Sequence, residues 1–262
     1  MSRRQVTITV LGSGTSTGVP VPTCNCQVCS SAEPKNRRTR CSILISCGGR
    51  NILVDSSTDL RHQALREKID RIDAVLYTHT HADHVNGIDD LRPFSLVLGE
   101  SIPIYACPDD LLVLRRVFSY IFEDTTGTGF RPRLHMREIT GPFALFGLPV
   151  VPLELVHGPG SSLGYRIGPF AYVTDCNEIP ESTLSRLSGV EILLIDALRF
   201  RSHASHLTIP QALEVADRLQ VRRTRLTHLG HDVDVHRHGT QLPAGAELAY
   251  DGQRLTFDID FS

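Results

Sequence analysis

The chain has 262 residues, 41% of them hydrophobic, with a formal charge of −2. That length buries a sizeable core, most simply as one α/β domain spanning 1–262. The near-neutral balance excludes a global electrostatic pull toward nucleic acid or membrane surfaces, so an anionic substrate falls to local charges and small substrates are favoured.

The N-terminal stretch MSRRQVTITVLGSG carries basic residues, but Gly12 and Gly14 break its apolar run and no small-residue cleavage site follows. It reads as a first strand rather than a secretion signal. LGSGTSTG lacks the Lys-Ser/Thr of a P-loop and the third glycine of G-x-G-x-x-G, and reads as a tight loop. Seven cysteines, three of them in CNCQVC, fit a reducing compartment and metal binding better than a disulfide framework. With no run near the ~18 apolar residues of a membrane helix, the expected location is the cytoplasm. The basic run KNRRTR (35–40) reads as a solvated loop.

Alternating apolar residues on both sides of Gly48-Gly49 predict a hairpin. Further strands are expected in DAVLYT, IPIYAC, VVPLELVH, LGYRIG, FAYVTD, EILLIDA and TRLTH, and in a closing pair around Asp251-Gly252. Helical patterns cover 58–67, 82–91, 109–120 and 209–219, the last preceded by Thr208 with Pro210 in its first turn. FEDTTGTGFRPRL (122–134), punctuated by Gly127, Gly129 and Pro132, reads as a loop and a candidate lid. Strands and helices alternate but hairpins intervene, which points to sheets covered by helices rather than one parallel sheet.

The stretch LYTHTHADHVNG carries the chemistry. AVLYT is an apolar strand, HTH leaves its end, and ADHVNGIDDL begins a helix. Residues two apart on an extended segment point the same way, so His79 and His81 can grip one metal from one side. Asp83 and His84 then face a neighbouring position, a two-metal arrangement. Each further candidate sits where a strand pattern runs out: His157 after LPVVPLELV, Asp175 after FAYVT, and His228 after TRLT.

With HTHADH in place of H-x-H-x-D-H, followed by single His, Asp and His ligands in that order, the chain resembles the metallo-β-lactamase superfamily of binuclear hydrolases over nearly its whole length. The resemblance implies an α+β fold, a four-layer αββα sandwich with the site at the strand edges. It implies that His79, His81 and His157 hold one metal, that Asp83, His84 and His228 hold the other, and that Asp175 bridges them. Asp55, ending NILVD, falls at the superfamily's early aspartate, which orients a ligand from behind.

CNCQVC offers Cys24, Cys26 and Cys29 in a loop at about 20–32, and a tetrahedral zinc needs a fourth donor. His231, three residues after His228, is the expected one, because this zinc would then brace the segment carrying a catalytic histidine. The cysteine loop with LTHLGHD looks like the phosphoribosyl cyclic phosphodiesterase branch. The coenzyme PQQ biosynthesis protein B family shares the loop with a degraded metal motif, whereas all the ligands are present here. An active hydrolase is therefore expected.

Two divalent ions ~4 Å apart, manganese or zinc, would make a bridging water into hydroxide and stabilise charge on phosphoryl oxygens. His206 in RSHASHLTIPQAL is the candidate general acid for the leaving group, with His203 its nearest rival and Asp196 placed to orient either. Asp83, Asp175 and His206 are thus the candidate catalytic groups. The expected activity is hydrolysis of small or cyclic phosphodiesters. A tRNA-processing nuclease of the ribonuclease Z type is the rival, although the short spacings leave little room for a tRNA-binding arm, and a thioesterase of the glyoxalase II type is a further alternative. A homodimer is expected from the relatives. Neither nucleic acid nor a membrane is expected as a partner.

Overall fold

The computed structural model describes residues 2–123 and 131–261. The tip of the candidate lid, 124–130, lies outside them.

Strands β1 (Ser2–Gly12), β2 (Ser42–Cys47), β3 (Arg50–Val54), β4 (Ala74–Leu76), β5 (Ile102–Ala106) and β6 (Leu134–Glu138) lie side by side in sequence order. A second sheet holds β7 (Phe143–Leu145), β8 (Leu148–His157), β9 (Gly160–Ile167), β10 (Phe170–Val173), β11 (Ile192–Asp196), β12 (Arg223–Thr227) and β13 (Ala246–Leu248). The last strand, β14 (Arg254–Phe261), returns to the first sheet outside β1.

Side-chain alternation makes the layers. Ile52 and Val54 of β3 and Ile192 and Leu194 of β11 point into a shared core between the sheets. Leu53 points the other way, into a core completed by α1 (Leu60–Glu67), α2 (Ala82–Val85), α3 (Arg92–Leu98), α4 (Pro108–Val117) and α5 (Ser119–Phe122). Leu193 and Ile195 pack under α6 (Glu181–Leu187) and α7 (Ile209–Arg218), while α8 (Val235–Gly239) lies near β13. The result is the expected αββα sandwich. Each fully buried aliphatic side chain stabilises it by about 1.5–3 kcal/mol.

Local chemistry sets the helix limits. Thr208 caps α7: its hydroxyl accepts from the Gln211 amide at 3.3 Å, and the Gln211 side chain accepts from the Thr208 amide at 2.9 Å. The helix expected over 82–91 is broken after Val85. A Cβ on Gly87 would lie 2.0 Å from the Ser57 carbonyl oxygen, and the Gly87 amide donates to Ser56 at 3.0 Å, so the backbone is drawn out of the helix and resumes as a tight turn at Ile88–Leu91. Likewise 109–120 is interrupted at Phe118.

The two strands flanking Asp251-Gly252 form, but they do not pair with each other: β13 joins β12 and β14 joins β1. The turn crosses between the sheets instead of closing a hairpin. Asp251 holds it there, accepting from the amides of Ser13 and Thr39, each at 2.9 Å, and pairing with Arg66 at 3.0 Å. No described helix is long and apolar enough to cross a membrane.

Candidate metal centre

Strands β3, β4, β8, β10, β11 and β12 end at one rim of the sandwich, and at or within three residues of their ends stand Asp55, the start of the His79–His84 run, His157, Asp175, Asp196 and His228. Asp55, Asp175 and His228 have positive φ of 63°, 53° and 58°. That left-handed turn, tolerable for Asp and His, costs on the order of 1–2 kcal/mol each and swings each side chain off its strand into the rim.

Donor atoms of His79, His81, His157 and Asp175 fall within 4.8 Å of one another, as do those of Asp83, His84, Asp175 and His228. Asp175 belongs to both groups. In the first, His81 Nδ1 lies 2.9 Å from His79 Nε2 and 3.2 Å from His157 Nε2. Nitrogens ~2.1 Å from one ion stand roughly 3.0–3.4 Å apart, so the spacing is that of ligands around a cation. In the second, His84 Nε2 lies 3.3 Å from Asp83 and 3.4 Å from Asp175, and His228 Nε2 lies 3.3 Å from Asp175.

The far nitrogens are held from behind. His84 Nδ1 donates to Asp55 at 2.7 Å, and Asp55 also accepts from the Thr78 amide at 2.8 Å and hydroxyl at 2.9 Å. The Thr78 hydroxyl in turn accepts from His79 Nδ1 at 3.0 Å. His157 Nδ1 donates to the Ser205 carbonyl at 2.8 Å. These bonds leave the opposite nitrogens facing inward. Asp55 thus takes the orienting position expected of it. Thr78 was not anticipated; its only sequence signal is its place between a strand and two candidate ligand histidines.

The donor set fits divalent ions. His84 Nε2, His228 Nε2 and Asp83 Oδ2 are buried with no hydrogen-bond partner among the described residues. Burial is the largest single influence on His228 and pulls it down, but Asp175, Asp83 and Asp196 together outweigh it, and the imidazole is pushed up to about 9. His84 is likewise raised by Asp175 and Asp55 against its burial. The carboxylates' demand for positive charge is met by protons, and divalent ions would meet it more fully.

Beside this centre, His206 Nδ1 donates to Asp196 at 2.8 Å. Its ring stacks on His228 at 4.5 Å and meets His157 edge-on at 5.0 Å. His203 is exposed and accepts from the Ser205 amide at 3.3 Å. Asp196 therefore orients His206 and not His203. Arg199 folds back onto the carbonyls of Arg201 and Ser202 and so braces its own loop.

The structure brings the three cysteines of the loop together with His231. Cys24, Cys26 and Cys29 Sγ lie 3.2, 3.6 and 3.6 Å from His231 Nδ1. A tetrahedral zinc with ~2.3 Å sulfur and ~2.0 Å nitrogen bonds puts those atoms roughly 3.5 Å apart. The Cys29 amide donates to Cys26 Sγ at 3.4 Å and lowers that thiol to about 6.

One reading of the basic run is corrected. Within KNRRTR, Arg38 is only 2% exposed; it donates to the carbonyls of Gly230 at 3.0 Å and Val233 at 2.7 Å. It braces the segment carrying His228 and His231 instead of meeting solvent. Gly14 bridges both Arg40 and Leu229, so LGSGTSTG is indeed a tight loop against that segment.

A sandwich with histidines and carboxylates converging at one strand rim defines a metal-dependent hydrolase. A family model described as a β-lactamase superfamily domain matches residues 50–229. The chain belongs to the β-lactamase superfamily. It is 39% identical over 254 residues, 95% of its own length, to a Porphyromonas gingivalis protein named octanoyltransferase, of which it spans about half (51%). It is 31% identical over 222 residues to coenzyme PQQ synthesis protein B of Methylorubrum populi, covering 72% of each chain. A crystal structure of a diphosphatase from the PhnP family superposes with a TM-score of 0.93 at 41% identity, covering 98% of this chain and 99% of the other.

Proposed function

We propose that the protein is a binuclear metal-dependent phosphodiesterase acting on small or cyclic phosphodiesters. One ion would be held by His79, His81 and His157, the other by Asp83, His84 and His228, with Asp175 serving both. A His/carboxylate set accepts manganese or zinc. A third ion, zinc, would sit on Cys24, Cys26, Cys29 and His231.

A bound pair of such ions activates water and draws charge from phosphoryl oxygens. The rest is the chain's own work. Asp55, Thr78 and the Ser205 carbonyl fix the ligand rings. His206, held in place by its hydrogen bond to Asp196, would deliver a proton to the departing oxygen. The observation that carries the reading is the His206–Asp196 pair at 2.8 Å, set against both His157 and His228. Such an acid matters for poor leaving groups such as sugar alkoxides. The 41%-identical diphosphatase supports attack at phosphorus.

Purified protein with counted metals, offered cyclic nucleotides, a ribose cyclic phosphate, a diphosphate ester, a tRNA precursor, a thioester and a β-lactam, should show its highest kcat/KM on a phosphodiester. Preference for the tRNA precursor would replace this reading with that of a processing nuclease. Preference for either non-phosphorus substrate would end it.

A further inference from the structure

The pocket over the first group of ligands has a volume of about 280 Å³ and is walled by His79, His81, His157, Ser205, Asp110 and Ser161, among others. Asp110 and Ser161 also line a second, larger cavity of about 630 Å³, so the two adjoin there. Cys107, Ile139 and Gly141 at the ends of β5 and β6 make one wall of the larger cavity. Pro152, Leu155 and Leu163 of the β8–β9 hairpin make another.

The charges around this cavity are few. Asp110 sits at the junction, where it accepts from the Cys107 thiol at 2.9 Å. Glu154 and Arg186 lie on the exposed rim, and Arg186 donates to the Pro152 carbonyl at 3.2 Å. Two carboxylates against one guanidinium repel a second phosphate, so a polynucleotide does not suit the cavity. Its size is that of a small-molecule pocket, and apolar walls with one carboxylate at the entrance suit a neutral, hydroxyl-bearing body.

We infer that, for an acyclic diester, this cavity receives the organic group that stays on phosphorus, a sugar- or nucleoside-sized uncharged substituent, with Asp110 accepting hydrogen bonds from its hydroxyls. The inference rests on the phosphodiesterase reading. His206 follows Ser205, whose carbonyl holds His157, so the leaving group belongs on that side. The retained substituent is left with the space beyond Asp110. Asp110 is then a specificity-determining residue.

Two probes with one leaving group test this: thymidine 5′-(p-nitrophenyl) phosphate and methyl p-nitrophenyl phosphate. The metal-loaded protein should prefer the nucleoside ester. A Cβ on Gly141 meets nothing within 4 Å, so Gly141→Phe can fill the cavity. It should cut the ratio of the two kcat/KM values about tenfold, mainly through KM. Asp110→Asn, which keeps the volume, should cut the ratio in the same direction and carries the test if the first variant does not fold. No preference in the unaltered protein, or an unchanged ratio in a folded, metal-loaded variant, overturns the inference. Absence of turnover on both probes overturns the phosphodiesterase reading beneath it.

Discussion

The cysteine cluster and the histidine–carboxylate centre draw on one short segment, which carries His228 and His231, yet they follow opposite rules. In the cluster, three thiols and one imidazole converge, the donor set of a tetrahedral zinc, and backbone amides of Cys29 and Val21 point at the sulfurs. In the centre, seven candidate donors fall into two groups that share Asp175, and a 280 Å³ pocket opens over one of the groups. A closed set holds geometry, whereas an open one leaves room for a reactant. The closed set here would keep the segment still for the open one.

The comparison breaks most sharply at Asp175. Asp175→Ala should lower kcat/KM on the order of 10³-fold or more and release metal from both positions, while the cysteine cluster keeps its zinc. Elemental analysis showing a full pair would remove Asp175 as the shared ligand. His206→Ala should cost roughly 10²–10⁴-fold on alkyl diesters and far less on nitrophenyl diesters. Equal losses on both would remove it as the acid. Asp55→Asn should weaken metal affinity or turnover by roughly 10–100-fold, read by competition with a chelator.

Acidity sharpens the contrast further. His84 and His228 are raised, the latter to about 9, so below that pH the metal-free centre holds protons that divalent ions must displace. Affinity should therefore rise with pH toward 9, about tenfold per unit for each proton released. Calorimetry in two buffers of different ionisation enthalpy measures that release, and finding none would contradict the assignment. Smallest in its effect on chemistry is Cys26→Ser. One zinc and several °C of Tm should go, at ~2–4 °C per kcal/mol for a domain of this size, while folded protein keeps its turnover. Lost turnover with zinc retained would show that the cluster does not act through folding.

Much of this centre was legible in the sequence because HTHADH is local: period-two spacing and a helix start place four donors without knowledge of the fold. The single candidate donors were legible as polar residues at the ends of apolar strands. What escaped depends on distant pairings. The strands flanking Asp251 look like a hairpin until Ser13, Thr39 and Arg66 hold the turn between two sheets. Arg38 looks solvated until its guanidinium meets carbonyls about 190 residues away in sequence, at Gly230 and Val233. The short strand β6, half-buried to exposed, has no clear alternation to read. Asp110 sits in a helix start like many others, and only the cavities on either side mark it.

The left-handed backbone at Asp55, Asp175 and His228 has a consequence for anyone improving this protein. Glycine would adopt those angles freely and asparagine more easily than most, so a screen for heat resistance alone would favour them there. Such a campaign would harvest sturdier molecules by erasing the very side chains that face the rim. Those three positions should be locked before any library is built.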